Sequence, residues 1–273
     1  MKKFEGFLLC TDLDGTLLNS DFAVSKENLD AIAYFQREGG LFTFVTGRMP
    51  YFAEDVYEVV KPNAPVACCN GGGIYDFRTR EYVRTVELSK NVRELVMHVV
   101  ENVEGVGFQV DTFDRVYFCQ ENRTMEWFRE VTGMPNLVRD YDDVSEPIAK
   151  IVFGEDDEDR INAVINLLNS HPLAEQFDFT RSEYSLYEIL PKGVSKGKGL
   201  ERLVEHLNVD MRKTLAVGDY NNDVSMIRAA GVGIAVANAV DEAKASADHI
   251  TVSNDEHAIA RIISDLEKGA FGI

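Results

Sequence analysis

The chain has 273 residues, of which 45% are hydrophobic and 27% charged, and its 46 acidic side chains against 28 basic ones give a formal net charge of −18. This length is sufficient to bury a sizeable core in one large domain or two, and the composition is that of an ordinary globular protein. The charge argues against nucleic acid as a partner, because binding a phosphate backbone requires a basic surface, and it disfavours anionic membrane surfaces.

The sequence also bears on the compartment in which the protein works. No stretch approaches the roughly 20 apolar residues that a membrane helix requires. The apolar run at residues 7–10 is short and leads at once into polar residues, so it predicts a buried strand rather than a signal peptide. The four cysteines, two of them adjacent at Cys68 and Cys69, match neither a disulfide framework nor a metal-binding spacing. We therefore expect buried free thiols and a cytoplasmic protein.

Over the first 70 residues, short apolar runs alternate with amphipathic helical patterns. The runs predict strands at residues 7–10, 41–45 and 66–69. The periodic patterns predict helices at residues 25–38, with Ser25 as the N-cap, and from Pro50 onward. Strands this short and this apolar, alternating with helices, are typical of a parallel sheet that helices cover on both faces.

The middle of the chain has a different pattern, in which a helix followed by two strands occurs twice. The helices are predicted at residues 90–103 and 160–168, and the strands at residues 106–110, 116–119, 177–180 and 185–189. This order indicates an α+β unit with an antiparallel sheet. Four side chains between the two repeats are predicted to pack in the core of that unit: Met125, Trp127, Phe128 and Val131.

The first pattern resumes in the last third of the chain. Helices are predicted at residues 198–207 and 223–229, and strands at residues 214–217, 233–236 and 249–252. The simplest description is an α/β domain with an inserted α+β domain. We assign residues 1–82 and 189–273 to the first and residues 83–188 to the insert.

Three of the predicted strands end in polar residues that a core does not need. The first strand leads into Asp12 and Asp14, the second into Thr46 and Gly47, and the strand at residues 214–217 into Asp219. In an open parallel sheet the ligand binds outside the carboxyl ends of the strands, so these side chains can converge although they lie far apart in sequence. This coincidence is the strongest physical indication of function.

The converging residue types fit phosphoryl transfer. Three crowded carboxylates require a cation, and hard oxygen ligands suit Mg²⁺. An aspartate beside Mg²⁺ is a competent nucleophile toward phosphorus, and a second aspartate two residues on can act as general acid and base. A hydroxyl and an unobstructed backbone N–H, from Thr46 and Gly47, can bind an anion. The lysine that would neutralise the remaining phosphoryl charge is Lys196 or Lys198.

At these residues the sequence resembles a known family. Four motifs, DLDGT at residues 12–16, TGR at 46–48, SKG at 195–197 and GDYNND at 218–223, are similar in order and spacing to those of the haloacid dehalogenase-like (HAD) phosphatases. Because the insert lies between the second and third motifs, the chain looks most similar to the Cof-type phosphatases of subfamily IIB. That resemblance implies a Rossmann-like, doubly wound core and an α+β cap of type C2B that determines substrate specificity.

The resemblance also implies roles for the acidic residues. Asp12 would be the nucleophile that forms an aspartyl-phosphate, and Asp14 the general acid and base. Mg²⁺ would be held by the Asp12 carboxylate, the Asp14 main-chain carbonyl and the Asp219 carboxylate. Asp223 would act through a metal-bound water or by orienting Lys196.

The phosphate-binding groups follow from the same resemblance. They would be the Leu13 N–H, Thr46, Gly47, Lys196 and Asn222, with Thr46 and Lys196 also counted as catalytic. The motif selects Lys196 rather than Lys198, because its lysine directly follows the serine. Arg48 fits a substrate contact and a surface ion pair equally well, and it is left outside the predicted site.

The sequence thus predicts a Mg²⁺-dependent phosphatase that acts on a small phosphorylated metabolite, with the cap covering the site. Two alternatives remain. A phosphomutase would pass the phosphoryl group to a second hydroxyl, although mutases of this superfamily usually carry a smaller cap elsewhere. A phospho-aspartate signalling or binding module would need neither the large insert nor a general acid at Asp14.

Overall fold

The structure is a computed structural model, and it describes residues 2–273. The chain divides into two compact units. The first unit contains the residues up to Arg84 together with Ser195–Ile273, and the second unit is Thr85–Val194. None of the helices within residues 2–273 is long and apolar enough to cross a membrane.

The helices and strands are as follows in chain order. Up to the end of the first segment they are β1 (Leu8–Thr11), α1 (Lys26–Arg37), β2 (Leu41–Phe44), α2 (Pro50–Val60), β3 (Val66–Cys68), β4 (Gly73–Asp76) and β5 (Glu81–Thr85). The second unit continues with α3 (Val92–Asn102), β6 (Gly107–Thr112), β7 (Val116–Gln120), α4 (Arg123–Thr132), β8 (Ile148–Gly154), α5 (Glu158–Ser170), β9 (Phe177–Glu183) and β10 (Leu186–Pro191). The first unit resumes with α6 (Lys196–Leu207), β11 (Thr214–Gly218), α7 (Val224–Ala229), β12 (Val232–Ala235), α8 (Asp241–Ser246), β13 (His249–Ile250) and α9 (Ala258–Glu267).

The first unit is built on a five-stranded parallel sheet with the strand order β13-β12-β11-β1-β2. Strand β1, which pairs with β11 and β2, is fully buried, as its apolar sequence predicts. Since successive side chains of a strand point to opposite faces, Leu8 and Cys10 share one face, where they pack with Leu200 of α6 and Met226 of α7. Helices α1 and α9 pack against each other elsewhere in this unit. The α/β fold predicted from the sequence is confirmed.

A small antiparallel sheet of β3, β4 and β5 follows β2. A single parallel bridge between Val45 and Ala67 connects the end of β2 to β3. Strands β4 and β5 were not predicted, because the glycine-rich residues that precede them indicate only a turn. The bridge places Cys69, which follows β3, beside the residues that follow β2.

The second unit contains a five-stranded antiparallel sheet with the strand order β7-β6-β8-β10-β9. One face carries Phe108, Val110, Ile151 and Phe153, which pack against α3 and α5. The other face carries buried polar side chains: Gln109, Asp111, Lys150 and Glu188. The two predicted hairpins are present. Strand β8, which lies between them at the centre of the sheet, was not predicted.

Helix α4 corrects one prediction about this unit. Asn122 caps the helix by accepting a hydrogen bond from the Met125 backbone N–H at 2.9 Å. Met125 is buried as predicted, but Trp127 is 50% exposed and Val131 is 48% exposed, so their predicted place in the core is wrong. The helix is amphipathic, and these two side chains lie one turn apart on its solvent face.

Candidate active site

The polar residues after three parallel strands lie side by side. Thr11, the last residue of β1, is level with Val217 of β11 on one side and with Phe44 of β2 on the other. The Asp12 backbone N–H donates to the Val217 carbonyl at 2.9 Å, which fixes the start of the loop after β1. The carboxyl ends of β1, β2 and β11 therefore form one edge, and the predicted site residues follow it.

Three carboxylates meet at this edge. Asp12, Asp219 and Asp223 each offer an oxygen, and the three oxygens lie within 4.8 Å of one another. No other group of three or more potential metal-ligating side chains of this kind occurs within residues 2–273. The Lys196 Nζ lies 2.7 Å from Asp12 and 2.7 Å from Asp223. One ammonium group thus contacts two buried carboxylates, and the partly exposed Asp219 adds a third carboxylate beside them.

Burial and this excess of negative charge shift the pKa values of the cluster. Burial, and then the charge of Asp223, raises the pKa of Asp12 well above its ordinary value. The same two causes raise the pKa of Asp219 to about 7. Burial by itself would lower the pKa of Lys196, but the carboxylates of Asp12 and Asp223 outweigh burial and raise it. A divalent cation among these oxygens would favour their ionised forms, so the donor set fits a metal.

Local sequence explains how the carboxylates are held. Asp219 accepts a hydrogen bond from the Thr16 hydroxyl at 2.7 Å. Gly15 has φ +72°, and a Cβ on it would lie 2.5 Å from the Asp219 Oδ2, so this position requires glycine. The Asp223 Oδ2 accepts from the backbone N–H groups of Asp219 at 3.1 Å and Tyr220 at 3.0 Å. Asp223 therefore organises its own loop as well as contacting the lysine.

Helix α6 separates the two candidate lysines. Ser195 caps the helix by accepting a hydrogen bond from the Lys198 backbone N–H at 3.2 Å. Lys196 in the first turn is only 1% exposed, whereas the Lys198 side chain is exposed and pairs with Glu201 at 2.6 Å. A hydrogen bond from the Gly197 N–H to the Ser225 hydroxyl fixes this turn against the start of α7. The structure thus brings Lys196, and not Lys198, to the carboxylates.

The predicted phosphate-binding groups lie in the loops beside this cluster. Thr46 is separated from the end of β2 by Val45 and is fully buried. Its Oγ accepts a hydrogen bond from the Arg48 backbone N–H at 3.1 Å. Leu13 directly follows Asp12 and is also fully buried. Asn222 lies in the loop after β11, where its Nδ2 donates to the Asn70 Oδ1 at 3.2 Å. A hydroxyl, backbone amides and a side-chain amide are all anion donors.

Asp14 does not join the carboxylate cluster through its side chain. Arg48 holds it instead, with Nε donating to Oδ2 at 2.8 Å and Nη2 donating to the other oxygen. Arg48 is itself fixed by donation from Nη1 to the Phe52 carbonyl at 3.1 Å. From the sequence, Arg48 was left outside the predicted site, and Asn70 was predicted only as part of a turn. The signal for Arg48 was its place directly after Thr46 and Gly47.

Comparison with known proteins agrees with this geometry. The family model for haloacid dehalogenase-like hydrolases matches residues 9–263. A Bacillus subtilis relative named 5-amino-6-(5-phospho-D-ribitylamino)uracil phosphatase YwtE is 29% identical, and the match covers 96% of this chain and 99% of the relative. A solved haloacid dehalogenase-like hydrolase from B. subtilis is 28% identical with a TM-score of 0.83, and the match covers 97% of this chain and all of that one.

A second solved structure shares the fold. It is a sugar phosphatase of HAD subclass IIB, 20% identical, which matches with a TM-score of 0.83 over 95% of this chain and 98% of that one. The match of the family model confirms the resemblance identified in the four motifs. The chain belongs to the haloacid dehalogenase-like hydrolase family, and it is a phosphomonoester hydrolase of the Cof type.

Proposed function

We propose that this protein is a Mg²⁺-dependent phosphatase that hydrolyses a small phosphorylated metabolite through an aspartyl-phosphate on Asp12. The observation that carries the proposal is the group formed by the buried Asp12, Asp223 and Lys196 with the partly exposed Asp219, at the carboxyl edge of a parallel sheet. Ligands bind at such edges in open α/β sheets. The family to which the chain belongs generally uses a divalent metal.

The proposed metal ligands are the carboxylates of Asp12 and Asp219 and the main-chain carbonyl of Asp14, with Asp223 adjoining them. Carboxylate and carbonyl oxygens are the ligands that Mg²⁺ prefers, and the surplus of negative charge in the cluster fits a divalent ion. When bound, Mg²⁺ would neutralise part of the charge on the carboxylates and on the phosphate.

The proposed reaction has two steps, both carried out by aspartates. In the first, an Asp12 oxygen attacks phosphorus, the bond from phosphorus to the leaving oxygen breaks, and Asp14 gives that oxygen a proton. In the second, Asp14 takes a proton from water while the water oxygen attacks the aspartyl-phosphate. Inorganic phosphate leaves and the Asp12 carboxylate is restored.

Lys196 contributes by its position. Its ammonium has three protons, of which two point to Asp12 and Asp223, so one remains for a phosphate oxygen. We propose that Thr46, Asn222 and the backbone N–H groups of Leu13 and Gly47 bind the other oxygens. Donors that are fixed before the reaction stabilise charge in the transition state at little reorganisation cost.

Arg48 has a positioning role in this proposal. It holds both oxygens of Asp14. A carboxylate held in this way has to give up at least one of these bonds before it can exchange a proton with the leaving oxygen or with water. We therefore propose that Arg48 holds Asp14 in a resting orientation between the two steps.

The substrate is proposed to be a phosphate monoester with a small, polar leaving group. The relative described above is named for a phosphate ester on a ribityl chain, so polyol phosphates are the first compounds to test. We propose that the cap predicted at residues 83–188, nearly all of which belongs to the second unit, selects this group. We further propose a cytoplasmic enzyme, since the four free thiols suit a reducing compartment.

The test is hydrolysis of p-nitrophenyl phosphate and of a panel of sugar, polyol and nucleotide monophosphates by the purified protein. We expect turnover in Mg²⁺ and its loss in EDTA, and a panel ranked by kcat/KM identifies the substrate class. Undiminished activity in EDTA would refute the metal assignment. If the protein is inert in Mg²⁺ but stays phosphorylated after treatment with acetyl phosphate, the signalling-module alternative is correct. Transfer of the phosphoryl group to a sugar hydroxyl would support the mutase.

A further inference from the structure

The loop after β3 has an unusual backbone. Cys69 and Asn70 are consecutive non-glycine residues with φ values of +54° and +53°, and Gly71 follows with φ +89°. Asparagine tolerates the left-handed region better than most residues, but cysteine does not. Residues held in such conformations persist only where the surrounding structure fixes them, and they concentrate at functional sites.

Two of the candidate phosphate-binding segments fix this loop. The Asn70 N–H donates to the Thr46 carbonyl at 3.0 Å, and the Cys69 N–H donates to the Arg48 carbonyl at 3.1 Å. On the other side, a Cβ on Gly71 would lie 2.3 Å from the Ser195 carbonyl oxygen, so the loop backbone touches the start of α6. The loop therefore lies between the Thr46–Gly47 segment and the helix that carries Lys196.

The Asn70 side chain is directed into the same group of residues. It is 1% exposed, and its Oδ1 accepts the hydrogen bond from the Asn222 Nδ2 at 3.2 Å. A Cβ on Gly47 would lie 3.3 Å from the same Oδ1, so the amide packs directly against that glycine. The Asn222 Nδ2 has two protons. Because Asn70 accepts one, the other remains for a phosphate oxygen.

We propose that Asn70 is a positioning residue of the phosphate site, which fixes the side-chain amide of Asn222 and the backbone of Gly47 before phosphate binds. The inference rests on the function proposed above, and it adds the loop after β3 to the loops after β1, β2 and β11. Donors held in place in advance bind with less loss of conformational freedom. Loss of Asn70 should therefore weaken the binding of the phosphate group itself, in substrate and in product, more than it slows the attack by Asp12.

The decisive variant is Asn70→Gly, because glycine keeps the left-handed backbone and removes only the amide. Cys69→Gly is the matched control: it changes the neighbouring left-handed residue of the same loop and leaves the amide in place. Asn70→Asp retains an oxygen for Asn222 but adds a negative charge beside the phosphate. Combining Asn70→Gly with Asn222→Ala tests whether the first residue acts through the second.

The measurements are the Kd of inorganic phosphate in Mg²⁺, by isothermal titration calorimetry, and the separate values of kcat and KM. Circular dichroism melts establish that each variant is folded. Since hydrogen bonds to charged groups are among the stronger ones, we expect Asn70→Gly to raise the phosphate Kd and KM about tenfold and to lower kcat much less. Cys69→Gly should stay within about twofold of wild type. In the Asn222→Ala background the effect of Asn70→Gly should be clearly smaller than in wild type, because only the contact with Gly47 remains to be lost.

Two results would overturn the inference. One is a phosphate Kd for folded Asn70→Gly equal to that of wild type. The other is an equal loss of affinity from Asn70→Gly with and without Asn222, which would mean that Asn70 does not act through Asn222. A wild-type protein that neither hydrolyses phosphate esters nor binds phosphate in Mg²⁺ would overturn the proposed function as well, so the two failures can be told apart.

Discussion

Each of the two units buries one lysine between two carboxylates. In the first unit, Lys196 contacts Asp12 and Asp223, and Asp219 adds a third carboxylate. These residues lie in loops beyond the strand ends and in the first turn of a helix, where N–H groups and carbonyls remain available for a ligand. The cluster has more negative charge than the protein itself compensates.

The lysine cluster of the second unit has a different setting. Lys150 of β8 lies 3.0 Å from Glu188 and 3.6 Å from Asp111, which belong to strands on either side of it. The next partner is a neutral amide: the Gln109 Nε2 donates to Asp111 at 2.8 Å. The four side chains share one sheet face within the ladder of backbone hydrogen bonds. A buried lysine between two carboxylates is therefore not in itself a sign of phosphoryl transfer. The features that indicate it are the third carboxylate and the position of the cluster beyond the strand ends.

The largest expected difference between the two clusters is in turnover. Asp12→Asn replaces the proposed nucleophile by a group of the same shape, so we expect kcat for p-nitrophenyl phosphate to fall by at least about 10⁴-fold. The matched substitution in the second unit, Asp111→Asn, also removes a carboxylate beside a buried lysine. It should have a far smaller effect on this small substrate, because the proposed reaction assigns Asp111 no role in phosphoryl transfer. If both variants fold and lose activity equally, the proposed difference in function between the two clusters is wrong.

The residues of the first cluster could be predicted from the sequence because they follow strand ends. The register of parallel strands brings the residues after β1 and β11 together whatever lies between them in sequence. Lys196 was predicted from its position in a motif, and its burial in the first turn of α6 follows from the Ser195 cap. Local pattern and the rules of sheet topology were sufficient for this part of the site.

The contacts that the sequence did not predict depend on tertiary structure. An arginine after a strand can turn to solvent or to a carboxylate, so the sequence alone does not determine that Arg48 pairs with Asp14. Asn70 and Gly71 indicate a turn, but nothing local says that the amide faces Asn222. Strand β8 was missed because Lys150 interrupts its apolar run, and the carboxylate that balances this lysine lies 38 residues further along the chain.

The two lysines offer a second way to separate the clusters, through stability. Lys196→Met and Lys150→Met each leave buried carboxylates without their cation, a change that costs about 3–5 kcal/mol in the free energy of unfolding. We expect Mg²⁺ to restore part of this loss in Lys196→Met, since a divalent ion can replace the lost charge there. It should not do so in Lys150→Met, whose stabilisation by Mg²⁺ should equal that of wild type.

Urea unfolding with and without Mg²⁺ measures this difference. Circular dichroism follows the whole chain, and the fluorescence of Trp127, the only tryptophan, follows the second unit. Restoration of Lys150→Met by Mg²⁺ would show that the second cluster also binds the metal, contrary to the comparison. A Mg²⁺ effect in Lys196→Met no larger than in wild type would remove the proposed role of that lysine in balancing the carboxylates.

The smallest expected effect is a dependence of stability on pH that originates in the second cluster. Burial raises the pKa of Asp111 to about 6, because Lys150 only partly offsets the burial and the charge of Glu188. Its ordinary value is 3.8, so the folded chain takes up this proton at a higher pH than the unfolded chain. The contribution of Asp111 to stability is therefore complete below about pH 4 and is lost as the pH rises through 6.

The variant Asp111→Asn lacks this titration and should lose the corresponding pH dependence. A shift of about two pKa units corresponds to about 3 kcal/mol at most, so the free energy of unfolding of wild type relative to the variant should decline by up to that amount between pH 4 and pH 8. Trp127 fluorescence in urea measures both proteins, and their difference removes the contribution of the titrating groups that do not interact with Asp111, including Asp219. A difference that is constant with pH, or that grows as the pH rises, would mean that Asp111 remains ionised in the folded chain. In that case the lysine would fully compensate its partners in the second unit, and the two clusters would differ in net charge even more than their geometry indicates.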